Sequence, residues 1–130
     1  MTVITPKGAR IYAELADTIE KRARGLMFRD SLAKDRGMLF SFPELKHWTF
    51  WMKNTKVPLD IIWMDRNKKI VHVEANVPGC NRTDEGCLQY QPAQEALYVL
   101  EVAAGVAEAL KLERGVTLQF QLPASPPPSH

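Results

Sequence analysis

The sequence predicts an α+β domain dominated by a mainly antiparallel, strongly curved β-sheet or small β-barrel, with two short helices. Three observations lead there. Six or seven short stretches alternate or run apolar as strands do, only two carry helical spacing, and turn residues separate them at short intervals. A barrel is expected over a flat open sheet because closure leaves no unpaired strand edge.

Ala9, Ile11, Ala13 and Leu15 alternate with Arg10, Tyr12 and Glu14, which predicts a strand over 9–16 with one wet face. Asp17 lies three residues before Glu20, a capping-box-like start, and Ile19, Ala23, Leu26 and Met27 then share one stripe of a helix over 18–28. Gly25 falls inside that helix and costs up to about 1 kcal/mol against alanine there, so close packing on a neighbour is the expected compensation. Gly37-Met38-Leu39-Phe40 continues to Phe42 as a short buried strand that Pro43 ends, and residues 47–54 read as the next strand. Pro58 confines residue 57 to extended conformations and puts a bend or sheet edge there. Leu59, Ile61 and Trp63 alternate with Asp60, Ile62 and Met64, a strand apolar on both faces and therefore central. Asp65-Arg66-Asn67-Lys68 is a tight hairpin, with Asn67 expected in the left-handed region, and Ile70 to Val77 is the returning strand.

From Pro78 to Pro92 no periodicity survives, so a long surface loop is expected. A strand over Ala96 to Val102, a helix over Gly105 to Leu112 with Val106, Ala109 and Leu110 inward and Gly115 as its cap, and a last strand through Val116, Leu118, Phe120 and Leu122 complete a single domain over 1–122. The proline-rich stretch 123–130 reads as a disordered tail.

At 130 residues the chain suits one domain with one proper core, and its 45% hydrophobic and 25% charged content is that of an ordinary globular protein. No apolar run approaches the ~20 residues of a spanning helix. The start of the chain lacks a basic-then-apolar signal pattern, which fits a cytoplasmic protein or a mature form whose leader has been removed. A net charge of +2 is too small for a phosphate-tracking surface, and the basic cluster Lys21, Arg22, Arg24 and Arg29 is offset by Asp17, Glu20 and Asp30, so nucleic acid is not an expected partner. No phosphate-cradling glycine loop or nucleophile elbow occurs. His47 and His72 fall on different strands and His130 in the tail, so neither a metal nor a cofactor is expected. Cys80 and Cys87 have the wrong spacing for a zinc knuckle or a Cys-x-x-Cys redox pair. They read either as a loop disulfide in an oxidising compartment or as two free thiols in a reducing one. Asn81-Arg82-Thr83 matches a glycosylation sequon, a short pattern that carries little weight.

The stretch Phe50-Trp51-Met52-Lys53-Asn54-Thr55 concentrates the chemistry. On an extended chain Trp48, Phe50 and Met52 share one face, and His47, Thr49, Trp51 and Lys53 the other. Lining up Arg22, Gly25-Leu26-Met27, Arg29, Gly37-Met38-Leu39-Phe40, this stretch, Pro58-Leu59-Asp60-Ile61, Tyr98-Val99-Leu100-Glu101 and Gly105 gives a set, over roughly 9–121, that resembles the domain of unknown function 192 family. The resemblance implies a compact β-rich domain of bacteria and archaea, often behind a signal peptide or lipoprotein leader, with no established activity. Where relatives carry Asp-x-x-Gly in the hairpin this chain has Asp65-Arg66-Asn67-Lys68, which touches only the turn type. The leaders of relatives and the cysteine pair both favour an extracytoplasmic location.

Asp60 and Glu101 interrupt apolar strands, where a carboxylate is costly unless paired. Arg22, Asp60 and Glu101 are candidates for structural ion pairs, with Arg29 or Lys53 as further partners. Arg29, Lys53, Asn54 and Trp51 are candidates to hold a small polar or anionic ligand in a cleft, the indole stacking on it. Asp60 and Glu101 could instead form the acid–base pair of a hydrolase or lyase, and the 78–95 loop could dock a protein partner. The expected function is a non-enzymatic binding module.

Overall fold

The computed structural model describes residues 1–81 and 86–123. In chain order it contains β1 (Thr2–Ile4), β2 (Arg10–Ala16), α1 (Ile19–Arg24), β3 (Arg36–Lys46), β4 (Phe50–Trp51), β5 (Leu59–Met64), β6 (Ile70–Val77), β7 (Gln89–Tyr90), β8 (Ala96–Ala103) and α2 (Val106–Ala109). Six strands form one sheet in the order β1-β2-β3-β8-β5-β6, and β4 and β7 form a separate ribbon. Only β2 and β3 run parallel, linked through α1; the other pairs are antiparallel. The strongly curved α+β sheet is thus as expected, but it is open and no barrel closes.

Closure is replaced by a strap. The segment after α2 exchanges backbone hydrogen bonds between Gln119 and Ile4 on one edge strand, and its Val116 carbonyl and Leu118 N–H bond Ile70 and Lys68 at the start of the other. Here the sequence alternation is right, with Leu118 and Phe120 buried, but these residues bridge two edges rather than forming a strand of their own.

Strand alternation sorts the apolar side chains onto two buried faces. One carries Ile11, Leu39, Ile62, Met64, Leu100 and Val102 beneath α2 and the strap. The opposite face carries Met38, Phe40, Ile61, Trp63 and Val99, covered by Leu26, Met52 and the segment leading to the ribbon. Because both faces of β5 are covered, all six of its residues are buried, as a central strand requires.

Local expectations fail where backbone chemistry competes with spacing. Helix α1 stops at Arg24, because Gly25 turns to φ 49° and donates its N–H to the Lys21 carbonyl. Thr18, not Asp17, caps the start, accepting from the Lys21 N–H. The predicted apolar stripe does not exist: Ile19 is 76% exposed and only Leu26, beyond the helix, is buried. Pro43 does not end β3, which runs on through an irregularity to Lys46. Of residues 47–54 only Phe50–Trp51 pairs as a strand. In the 65–68 hairpin, Asp65 accepts from the Asn67 and Lys69 N–H groups, and Lys68 rather than Asn67 takes the positive φ, 65°. Helix α2 is a single turn with Val106 and Ala107 inward, while Ala109 is exposed. The tail expected at 123–130 lies, past Pro123, outside the described residues, as does part of the Asn81-Arg82-Thr83 sequon.

Cys80 and Cys87 are joined at an S–S distance of 2.06 Å. Cys80 is also fixed through its backbone, its N–H donating to the Thr55 carbonyl at 2.9 Å. The crosslink closes a short loop, so replacing both cysteines by serine is expected to lower the unfolding free energy by roughly 2 kcal/mol. Urea denaturation without reductant measures this, and equal midpoints for parent and variant would show that the crosslink leaves the unfolded chain unrestrained.

Candidate functional site

Glu101 is the polar exception on an interior strand. In β8 it lies opposite Met38 of β3 and Ile61 of β5, on the face that also carries Val99 and Phe40. It is 4% exposed, and among the described residues its carboxyl has neither a hydrogen-bond partner nor an ion-pair partner. Desolvation therefore dominates, and burial pushes its carboxyl up to about 8. At neutral pH it is a neutral acid.

The carboxyl lines a hollow of about 270 Å³. Phe40, Phe42, Phe50 and Trp51 supply aromatic walls, and Arg22 and Arg24 bring positive charge from α1. The walls are fixed by ring contacts: Phe50 meets Phe40 edge-on at 4.9 Å and Phe42 at 6.2 Å between centroids. Arg22 donates to the Ser41 carbonyl at 2.8 Å and lies over the Phe42 ring at 5.3 Å, so it ties α1 to β3 rather than pairing with a carboxylate. The left-handed turn at Gly25 brings the chain close to Phe40, where an added Cβ would lie 3.4 Å from the ring. The expected close packing of a glycine inside the helix is therefore replaced by a glycine past its end, required by the positive φ and in ordinary contact with a wall of the hollow.

Asp60 is fully buried and does something else. Its Oδ1 accepts the Asn76 N–H at 2.8 Å, and its Oδ2 accepts the Gly105 and Ala107 N–H groups at 3.0 and 2.8 Å. Asn76 sits in an irregularity where Leu59 pairs with Val77 but Ile61 pairs with Glu74. Gly105, at the N-cap of α2, has no side chain to cap with, so Asp60 caps that helix from a neighbouring strand. The expected ion pairing of Asp60 is replaced by backbone donors. Asp60 lies opposite Val102, on the sheet face of Ile62 and Leu100, whereas Glu101 lies opposite Ile61 on the other face. The two carboxyls therefore do not form a shared acid–base site.

The remaining predicted residues divide. Trp51 lines the hollow, and the Lys53 Nζ lies over its ring at 5.1 Å without joining the lining. Asn54 serves the backbone: it takes φ 58°, and its carbonyl accepts the Phe28 N–H at 2.8 Å. Arg29 forms a two-pronged pair with Glu14, whose carboxyl it holds below the usual carboxylate range, chiefly by hydrogen bonding. It lies in a separate cleft with Tyr12 and Arg36. Sequence spacing missed Arg24, Phe40, Phe42 and Phe50 as pocket residues. The available signal was that Phe40 and Phe50 flank the glycine and tryptophan motifs already singled out.

An open sheet buried on both faces, with one solitary acid facing an aromatic hollow, defines a small α+β domain with a built pocket. Among the described residues no helix is long and apolar enough to cross a membrane. The chain belongs to the DUF192 family, described as Uncharacterized ACR, whose sequence profile matches residues 2–120. It is similar to the crystal structure of a protein of unknown function from Novosphingobium aromaticivorans, at 35% identity and TM-score 0.78 over 92% of this chain and 82% of that one. A Sinorhizobium meliloti structure provisionally named a transcription regulator gives 32% identity and TM-score 0.77 over 91% and 89%. The UPF0127 protein of Thermococcus gammatolerans is 28% identical over 117 residues, which are 85% of this chain and 67% of that relative.

Proposed function

We propose that this protein is a non-enzymatic binding module for a small polar ligand, held in the hollow that Glu101 shares with Arg22 and Trp51. One observation carries the reading: a carboxyl 4% exposed, without a partner among the described residues, lines an aromatic hollow. Among the described residues no fully enclosed side-chain polar atom lacks a partner, so the unpartnered carboxyl oxygens reach into the hollow, and strongly perturbed acids in clefts concentrate at functional sites. Arg29, Lys53 and Asn54 leave the ligand set, Trp51 stays, and Glu101, Arg22, Arg24, Phe42 and Phe50 enter it. The hydrolase or lyase alternative loses support because Asp60 is consumed by three backbone donors on the opposite face. A nucleic-acid role, for which the Sinorhizobium name is the prompt, draws no support from a net charge of +2. An extracytoplasmic location belongs to the same proposal, since a disulfide between Cys80 and Cys87 persists where the surroundings are oxidising.

The test is amide chemical-shift mapping with a library of small acids, amines, amides and zwitterions of about ten non-hydrogen atoms, a size matched to the volume of roughly nine waters. Binders are expected to shift amides in 22–27, 40–42, 49–55 and at Glu101. A library that perturbs none of these, or binders that cluster elsewhere, would overturn the proposal.

A further inference from the structure

Resting on that reading, we propose that the hollow takes a small zwitterion, its quaternary ammonium lodged against Glu101 among the aromatic rings and its anionic group at the mouth against Arg22 and Arg24.

The buried end is the more restrictive. An isolated carboxyl in apolar surroundings is stabilised most by a cation brought to it, because attraction is strong where water is excluded. No described side chain provides one: Arg22 is committed to the Ser41 carbonyl and the Phe42 ring, and Lys53 lies over Trp51. The walls favour a cation too: Phe40, Phe50 and Trp51 are electron-rich rings, whereas Phe42 is already stacked on Trp48 and lies under Arg22. A primary ammonium would bring three N–H donors to a hollow whose side-chain acceptors are Glu101 and the Thr49 and Thr55 hydroxyls, of which Thr49 already accepts from Gln91 Nε2 at 3.0 Å. A quaternary ammonium brings none, so its charge enters without leaving a donor unsatisfied. At the mouth the two arginines would repel a bare cation and favour one that carries its own anion.

Binding is then tied to proton release. The empty hollow holds Glu101 protonated, its carboxyl pushed up to about 8 by burial, and the incoming cation favours the carboxylate, so one proton leaves to solvent. The charged groups sharing the hollow are Arg22 and Arg24; β3 and β5 place Met38 and Ile61 opposite Glu101, and Thr49, Phe50, Trp51 and Thr55 line the hollow with aromatics and hydroxyls.

Isothermal titration calorimetry with three probes tests this between pH 6 and 9. Trimethylammonioacetate carries both charges, 3,3-dimethylbutanoate replaces its nitrogen by carbon, and choline lacks the carboxylate. The zwitterion is expected to bind about tenfold more tightly per pH unit from 6 towards 8 and then level off. The carbon isostere is expected to bind at least tenfold more weakly at pH 8, and choline several-fold more weakly. Glu101→Gln, which keeps the shape of the neutral acid, is expected to abolish the pH dependence. Arg24→Gln is expected to weaken the zwitterion while strengthening choline, which no longer meets that repulsion. Equal binding of the carbon isostere, affinity that falls with rising pH, or no binding of either quaternary ammonium would overturn the inference. The shift mapping above separates the two failures: hollow binders without a cation would leave the small-ligand reading standing, and no hollow binder at all would remove both.

Discussion

Asp60→Ala lowers the unfolding free energy by about 4 kcal/mol, a loss on the scale of truncating a large core side chain. Three backbone N–H groups, those of Asn76, Gly105 and Ala107, lose their acceptor together. Each buried donor left without a partner costs about 1–3 kcal/mol, and water entering the space recovers part of it. Asp60→Asn loses less, about 2 kcal/mol, because the amide keeps one acceptor oxygen while its NH2 opposes a donor. Urea denaturation gives the free energies, and hydrogen exchange at those three amides localises them. An alanine variant within about 1 kcal/mol of the parent, with exchange unchanged, would show that the carboxyl is not what holds α2 and the β6 irregularity in place.

Glu101→Gln stabilises the protein at pH 8 and flattens its stability between pH 4.5 and 8. The folded chain keeps a proton on Glu101 up to about pH 8, whereas the unfolded chain releases it near the ordinary value of 4.5. Stability from this group is therefore fully present below about 4.5 and is lost as pH rises towards 8. The loss is on the order of 3 kcal/mol after allowance for relaxation around the charge. The Glu14 carboxyl works in the opposite sense: Arg29 lowers it, so its contribution is present above the ordinary carboxylate range and lost in acid, leaving the upper window to Glu101. Urea midpoints at pH 5, 6.5 and 8 measure the slope in parent and variant. A parent as flat as the variant would mean that water or a counter-charge reaches Glu101 in the folded state.

What the sequence made legible follows from which interactions are written in side chains. Strands β5, β6 and β8 were readable because alternating or continuous apolar residues decide burial, and burial decides strands packed on both faces. The same alternation misled at 47–54: Trp48, Phe50 and Met52 do turn inward of their neighbours, yet only Phe50–Trp51 finds a hydrogen-bonding strand, because burial every second residue needs an extended chain and not a ladder. For α1 the spacing of Ile19 and Ala23 lost to a left-handed glycine. Asp60 and Glu101 were rightly singled out as misplaced carboxyls, but sequence carries no register. The pairing of Ile61 with Glu101 puts the two acids on opposite faces, and nothing local encodes it. The partners of Asp60 were invisible for another reason, being backbone groups that every residue type offers. Arg29 found Glu14, a partner brought near only by the parallel pairing of β2 and β3.

The strap also governs how this chain reaches its native state. Ile4 and Gln119 come from opposite ends of the sequence, and the same short segment must reach Lys68 and Ile70. Loop closure over such separations is entropically slow, which places refolding with the high-contact-order domains that take milliseconds to seconds. Without the strap, β1 and the beginning of β6 would offer bare backbone to any neighbouring molecule, so the same segment that joins the two edges also shields them from edge-to-edge aggregation.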